Sequence, residues 1–229
     1  MLVTIHQPES LPWLGYFSKM DSADLYIVLT DCQYEKDYYQ NRNRIRRESG
    51  LEYLTVPVVK KDIHLRKINE VRIAGGEWRR KYLNVIKATY SKAPYYENYI
   101  GDIEGIINNS PELLWELNMS IILKFREWLG VDTPLLYSHD LDVTSSGSRR
   151  NADLVRAVGG DEYLSGPSGR DYLDMNDFNG IDVVYHDYKH PVYKQMHEPF
   201  ITHASTLDLL MNCGRESIDV IRSGFQLTL

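Results

Sequence analysis

The chain has 229 residues, 43% of them hydrophobic and 25% charged, with a formal net charge of −6 and two cysteines, Cys32 and Cys213. That length suits a single domain with a sizeable core, the composition argues against wholesale disorder, and the acidic balance argues against nucleic acid as a partner. The cysteines form no metal-ligand spacing or disulfide framework, which fits a reducing compartment such as the cytoplasm, and no apolar run approaches the ~18 residues of a membrane span.

Residues 2–5 are a short apolar run that predicts a strand, and residues 11–20 an aromatic amphipathic helix. "LYIVLT", residues 25–30, predicts a second buried strand bounded by aspartates. Such a β-α-β unit places two parallel strands side by side with a right-handed crossover. "YLTVPVV" at 53–59 reads as another strand. Apolar residues at Trp78, Tyr82, Val85, Ile86 and Tyr90 make a helical stripe over 77–90. A long helix is expected to start after Ser110, with Pro111 at its first position and Gly130 just beyond Leu129; its apolar face reads as core. "PLLYSHD" is strand-like, 151–158 helical, and "EYLS" and "IDVVYHDY" are strands. Two short helices, 206–212 and 216–222, close the chain. The alternation predicts an α/β fold, a mostly parallel, Rossmann-like open sheet flanked by helices, with a mainly helical middle segment over about 77–130. No repeat or linker divides the chain, so residues 1–229 read as one domain.

In such sheets ligands bind outside the carboxyl ends of the strands. "HQP" falls at the end of the first one, where His6 and Gln7 offer polar groups and Pro8 and Pro12 stiffen the turn. The same three residues also read as a capped turn with His6 tucked against the sheet. A second polar cluster, "DCQYEKDYYQNRNRIRR", follows the next strand. It contains Asp31, Gln33, Tyr34 and Lys36, then Asn41, Arg42, Asn43 and Arg44; guanidinium forks match phosphate oxygens and asparagine amides suit sugar hydroxyls. A solvated basic loop is the plainer alternative, and fits Arg46 and Arg47 best. A third cluster, "YLSGPSGRDYLD", is strand, glycine-rich turn and helix. Gly166 and Gly169 allow close approach, Ser165 and Ser168 add hydroxyls, and Arg170 lies near a helix start. Ordinary turn chemistry would look similar. Downstream, His190, Tyr193 and Gln195 stand in "YKHPVYKQ". The seventeen tyrosines offer apolar bodies with polar tips for gripping a partly polar ligand. No His-x-x-x-His, Cys-x-x-Cys or acidic cluster predicts a metal, and no Gly-x-Ser-x-Gly elbow is present.

The blocks "IHQPESLPWLGYFSKM", "ADLYIVLTDCQYEKDYYQNRNRI", "LTVPV", "YLSGPSGRDYLD", "HPVYKQ" and "LDLLMNCG" resemble, in order and spacing, those of the WbqC-like family, bacterial proteins often encoded in O-antigen and other surface-polysaccharide clusters. The resemblance runs from about residue 3 to residue 214. It implies a cytoplasmic transferase step on a nucleotide-linked amino sugar, such as aminoacyl or acyl transfer from a carrier-protein thioester to the sugar amine. No cofactor is then required beyond phosphopantetheine on a partner carrier protein. Two positions depart from the pattern: Ser10, where the family usually has an aromatic residue, and Cys32, where it usually has an apolar one. Amine attack on a thioester needs a base of near-neutral pKa and preorganised oxyanion donors. His6 is the candidate base, Gln7 and Asn41 candidate donors, Arg42, Arg44 and Arg170 candidate diphosphate ligands, and Trp13, Tyr16 or Tyr34 candidate ring contacts. Cys32 as a covalent nucleophile is disfavoured by its departure from the family pattern. A nucleotidyltransferase, or a non-catalytic sugar-nucleotide or carrier-protein binding module, would present similar turns.

Overall fold

The computed structural model describes residues 1–228. Eight strands and eight helices follow in the order β1 (Leu2–His6), α1 (Leu14–Asp21), β2 (Leu25–Val28), β3 (Arg42–Arg47), β4 (Gly50–Thr55), α2 (Trp78–Tyr90), α3 (Tyr96–Asn108), α4 (Leu114–Leu129), β5 (Leu135–Tyr137), α5 (Gly147–Ala157), β6 (Glu162–Ser165), α6 (Gly169–Tyr172), β7 (Asp182–Tyr188), α7 (Thr206–Cys213), α8 (Ser217–Ser223) and β8 (Phe225–Thr228), with short 3₁₀ turns between them. The main sheet has the order β5-β2-β1-β6-β7-β8. Its first five strands are parallel, and β8 adds antiparallel to β7. This is the α/β, Rossmann-like architecture expected. No helix among the described residues is long and apolar enough to cross a membrane.

Strand alternation splits the core between the two faces of the sheet. Val3, Ile5, Leu25 and Ile27 pack with Ala152, Leu154 and Val155 of α5. Tyr26 and Val28 face the other way, onto α1, α4 and α7. Residues 14–20 of α1 are all buried, Lys19 among them. A helix covered all round is a core helix. Its Leu14, Phe17 and Met20 are fully inaccessible, each contributing roughly 1.5–3 kcal/mol by burial.

Several boundaries differ from expectation, among them the start of α5, at Gly147 rather than residue 151. Helix α1 begins at Leu14 rather than residue 11, because Leu11 takes a left-handed φ of 41° ahead of Pro12 and the chain turns there. Helix α4 begins at Leu114 rather than Pro111, since Leu113 is extended and forms an isolated bridge with Arg72; Gly130 stops it with a φ of 68°, as the sequence indicates. The "NRNRIRR" stretch is not a loop. It is β3, paired antiparallel with β4 in a separate hairpin, and β4 ends at Thr55 instead of residue 59. Asn43, Ile45 and Arg46 are its buried positions.

Candidate functional site: a cleft at the switch point of the sheet

From β1 the chain builds outward to β2 and β5 on one side, and β6 and β7 extend the sheet on the other. The connections therefore reverse direction between β1 and β6, and the carboxyl ends of these neighbours open a crevice. A cleft of about 290 Å³ lies there, lined among others by His6, Gln7, Lys19, Asn151, Ser168 and Tyr172. The turn after β6 closes tightly because residue 169 is glycine: a Cβ there would come within 2.0 Å of Ser165 Oγ.

His6 is the last residue of β1. Its ring meets the Tyr16 ring edge-on at 4.9 Å, and its Nδ1 lies 3.1 Å from the Gln7 carbonyl oxygen. A carbonyl only accepts, so Nδ1 carries the hydrogen and Nε2 keeps the lone pair. That nitrogen sits 4.0 Å from Glu9 Oε1. Burial, helped by the charge of Lys19, lowers the His6 pKa to about 3, so the imidazole is neutral at physiological pH.

Beneath the cleft sits a group of ionisable residues whose charged forms are disfavoured by burial. Lys19 is 5% exposed and donates from Nζ to the Ile5 carbonyl oxygen at 2.9 Å. Burial lowers its pKa to about 7 against the opposing pull of Glu9. Glu9 is buried with Oε2 lacking a hydrogen-bond partner, and burial raises its pKa to about 8. His186 joins from β7, its Nε2 3.0 Å from Ser18 Oγ and its pKa lowered to about 4 by burial and then by Lys19. Among the described residues no carboxylate oxygen lies within ion-pair distance of the Lys19 amine.

Of the residues singled out in the sequence, His6, Gln7, Gly166 and Ser168 line the cleft. Gln7 is nevertheless tied up: its Nε2 donates to Cys32 Sγ at 3.2 Å and its Oε1 accepts from Gln40. Asn41 braces the hairpin through the Val56 carbonyl oxygen at 2.9 Å. Asn43 is buried in β3 and accepts the Arg44 amide on its Oδ1, while Arg44 receives the Ser205 amide on its main-chain carbonyl. Arg42 lies over the Tyr53 ring at 4.5 Å and pairs with Asp37, so it does not reach the cleft. Arg170 is held bidentately by Asp187 at 2.9 Å and stacks on Tyr185. Asp31 bonds Ser138 and Arg150. Gln33 donates to the His64 carbonyl oxygen at 2.7 Å, and exposed Lys36 sits beside Asp37. Tyr16 and Tyr34 are core residues. Ser165 bonds the Gly166 carbonyl oxygen. Trp13 stacks with His203, close to Tyr188 and His190, and Gln195 bonds Tyr193, Ile201 and Asp208. None of these residues from Asn41 to Gln195 lines the cleft, but all three polar turns reach it: the first through His6 and Gln7, the second through Glu35 and Tyr38, and the third through Gly166, Ser168 and Tyr172. Only the later part of the second cluster, from Arg42, folds away into its own hairpin.

The cleft brings in residues that sequence reasoning missed, above all Lys19, Asn151 and the tyrosines Tyr38 and Tyr172. Lys19 had a legible signal, a lysine inside a short helix otherwise apolar and aromatic. Its exposure looked like the default for lysine.

Fold and cleft together define an open α/β protein with a cleft at the switch point of a parallel sheet. The WbqC-like protein family model matches residues 7–220. The uncharacterized protein Rv1507c of Mycobacterium tuberculosis (strain ATCC 25618 / H37Rv) is similar over 224 residues at 34% identity, covering 96% of this chain and 97% of that protein. No solved structure matches the chain. The chain belongs to the WbqC-like protein family.

Proposed function

We propose that the chain is a transferase that moves an acyl or aminoacyl group from a carrier-bound thioester to the amine of a nucleotide-linked amino sugar, in surface-polysaccharide assembly. The observation that carries this reading is a neutral imidazole with its free lone pair at the end of β1, in a cleft whose walls carry amides, a serine hydroxyl and tyrosine rings beside the Glu35 carboxylate and Lys19. Such walls suit a polyhydroxylated ring better than a chain of phosphates. In the step, the sugar nitrogen attacks the thioester carbonyl carbon and a C–N bond forms as the C–S bond breaks. His6 Nε2 takes the proton from nitrogen and delivers it to the departing sulfur. A general base works best with a pKa near the operating pH; the burial that lowers His6 to about 3 makes it a weak one, and its role rests on its position at the cleft. The nucleotide lies outside the cleft, because none of the arginines expected to bind it lines the cleft and two of them, Arg42 and Arg170, are paired with Asp37 and Asp187. That commitment also disfavours nucleotidyl transfer, which needs cations around a triphosphate.

The test uses short aminoacyl thioesters of N-acetylcysteamine with a panel of nucleotide-linked amino sugars, and mass spectrometry of the sugar. His6→Ala is expected to lower turnover by roughly 10²–10⁴ while calorimetry shows sugar binding little changed. Equal turnover in wild type and variant removes His6 from the chemistry, and binding without turnover in every combination leaves a binding module.

A further inference from the structure

The transfer step leaves one reactive group of the cleft unused. Lys19 lines the cleft, its amine donates to the Ile5 carbonyl oxygen, and among the described residues no carboxylate is within ion-pair distance. A structural lysine would be expected to carry a counter-ion or to extend its head to water. This one does neither, and lies in a cavity large enough for a small ligand. Beside it Glu9 is buried with one carboxyl oxygen unbonded, an arrangement that suits the protonated acid.

We propose that Lys19 forms an imine with the carbonyl carbon of a polyhydroxylated aldehyde or ketone held in the cleft. The Nζ lone pair attacks the carbonyl carbon and a C–N bond forms, while the π electrons move to oxygen. Glu9 is beyond ion-pair distance of the amine and does not line the cleft, so it acts through one bridging water: that oxygen takes a proton relayed from the Glu9 carboxyl, and the nitrogen returns one to the carboxylate by the same route, giving a carbinolamine. A second passage through Glu9 protonates the hydroxyl, which leaves as water as the C=N bond forms. The carbonyl oxygen and two amine hydrogens leave as water, and nothing is oxidised or reduced. The chemistry needs a free amine and an acid at one pH. The shifts described for Lys19 and Glu9 supply both near neutrality. The hydroxylated class of carbonyl follows from the walls, where Asn151, Ser168 and Tyr172 present hydrogen-bonding groups around the amine. The site does not depend on acyl transfer or on His6 as base.

The full chain is treated at neutral pH with glyceraldehyde or dihydroxyacetone and sodium cyanoborohydride, which reduces an imine to a stable secondary amine, and the product is weighed intact and mapped by peptide. Lys19 is expected to be labelled at least about tenfold faster than exposed lysines, whose amines are almost wholly protonated at that pH. Labelling of Lys19 no faster than at exposed Lys60 or Lys61 overturns the proposal. In Lys19→Arg the fast phase should vanish, and in Glu9→Gln it should slow although the lysine remains. Circular dichroism confirms that each variant is folded, and persistence of fast labelling in a folded Lys19→Arg also overturns it. Because these probes carry no amine or thioester, their outcome is independent of that of the transfer assay.

Discussion

At the scale of single residues, solvation decides which groups can react. Cys32 ends a turn beside the cleft and looks like a nucleophile by position. Burial, the largest cause, raises its pKa to about 11, outweighing the hydrogen bond it accepts from Gln7. The thiolate is the nucleophile, so this sulfur is almost inert at neutral pH. Cys32 is therefore expected to react with iodoacetamide at pH 7.5 roughly 10²-fold more slowly than a free thiol of ordinary pKa. Cys32→Ala should keep most of the transfer activity, and intact mass spectrometry should find no acyl-enzyme when the amino sugar is withheld. An adduct lost in Cys32→Ala would reverse the assignment.

At the scale of elements, α4 fixes the turn that carries the site. Its Asn118 is fully buried, and its Nδ2 donates to the carbonyl oxygens of Pro8 at 3.0 Å and Gln40 at 2.7 Å. One side chain thus pins the turn after β1 to the segment leading into β3. Asn118→Leu leaves two buried carbonyls without this donor, and is expected to cost about 2–4 kcal/mol in urea unfolding, with weaker sugar binding as the turn loosens. A loss below about 0.5 kcal/mol, the range of unremarkable surface changes, would show that the clamp is dispensable. The same elements show what can be read without a structure. The run from β1 through α1 to β2 is legible because apolar runs, a proline turn and helix-spaced aromatics all point one way, and His6 and Ser168 follow from their places after strand ends. Strand β3 is illegible because its buried positions are filled by Asn43 and Arg46 as well as Ile45. Arg46 bonds the neighbouring carbonyl oxygens of Arg47 and Glu48 and also remote ones, those of His197 at 3.3 Å and Pro199 at 3.0 Å, which the sequence does not show. Misreading that strand as a loop carried Arg42 and Arg44 into the wrong neighbourhood. Lys19 was missed for the converse reason, since its burial depends on the way α1 is covered on every side.

At the scale of the whole molecule, the core around the cleft stores ionisable groups as neutral ones, and folding stability must respond to pH in two opposing ways. His186, 3% exposed, has a folded pKa of about 4 against an ordinary value of 6.5. Below pH 6.5 the unfolded chain takes up a proton that the folded one refuses, so stability from this residue falls as pH drops toward 4. Glu9 has a folded pKa of about 8 against 4.5. Between those values the unfolded chain ionises while the folded chain stays protonated, so stability from Glu9 falls as pH rises. Between pH 5 and 6.5 the slopes of His186 and of His6, whose pKa is lowered to about 3, oppose that of Glu9, so the wild-type curve is expected to be flatter there than the histidines alone would make it. Single variants expose the hidden terms. From pH 7 to 5 the stability advantage of wild type over His186→Gln should shrink by about 1–2 kcal/mol, while from pH 5 to 7 its advantage over Glu9→Gln should shrink as well. Urea midpoints at pH 5, 6 and 7 for the three proteins provide the check. Parallel curves would mean that the buried groups titrate alike in folded and unfolded chains, and the neutral floor of the cleft, on which both the resting imidazole and the free lysine amine depend, would have to be abandoned.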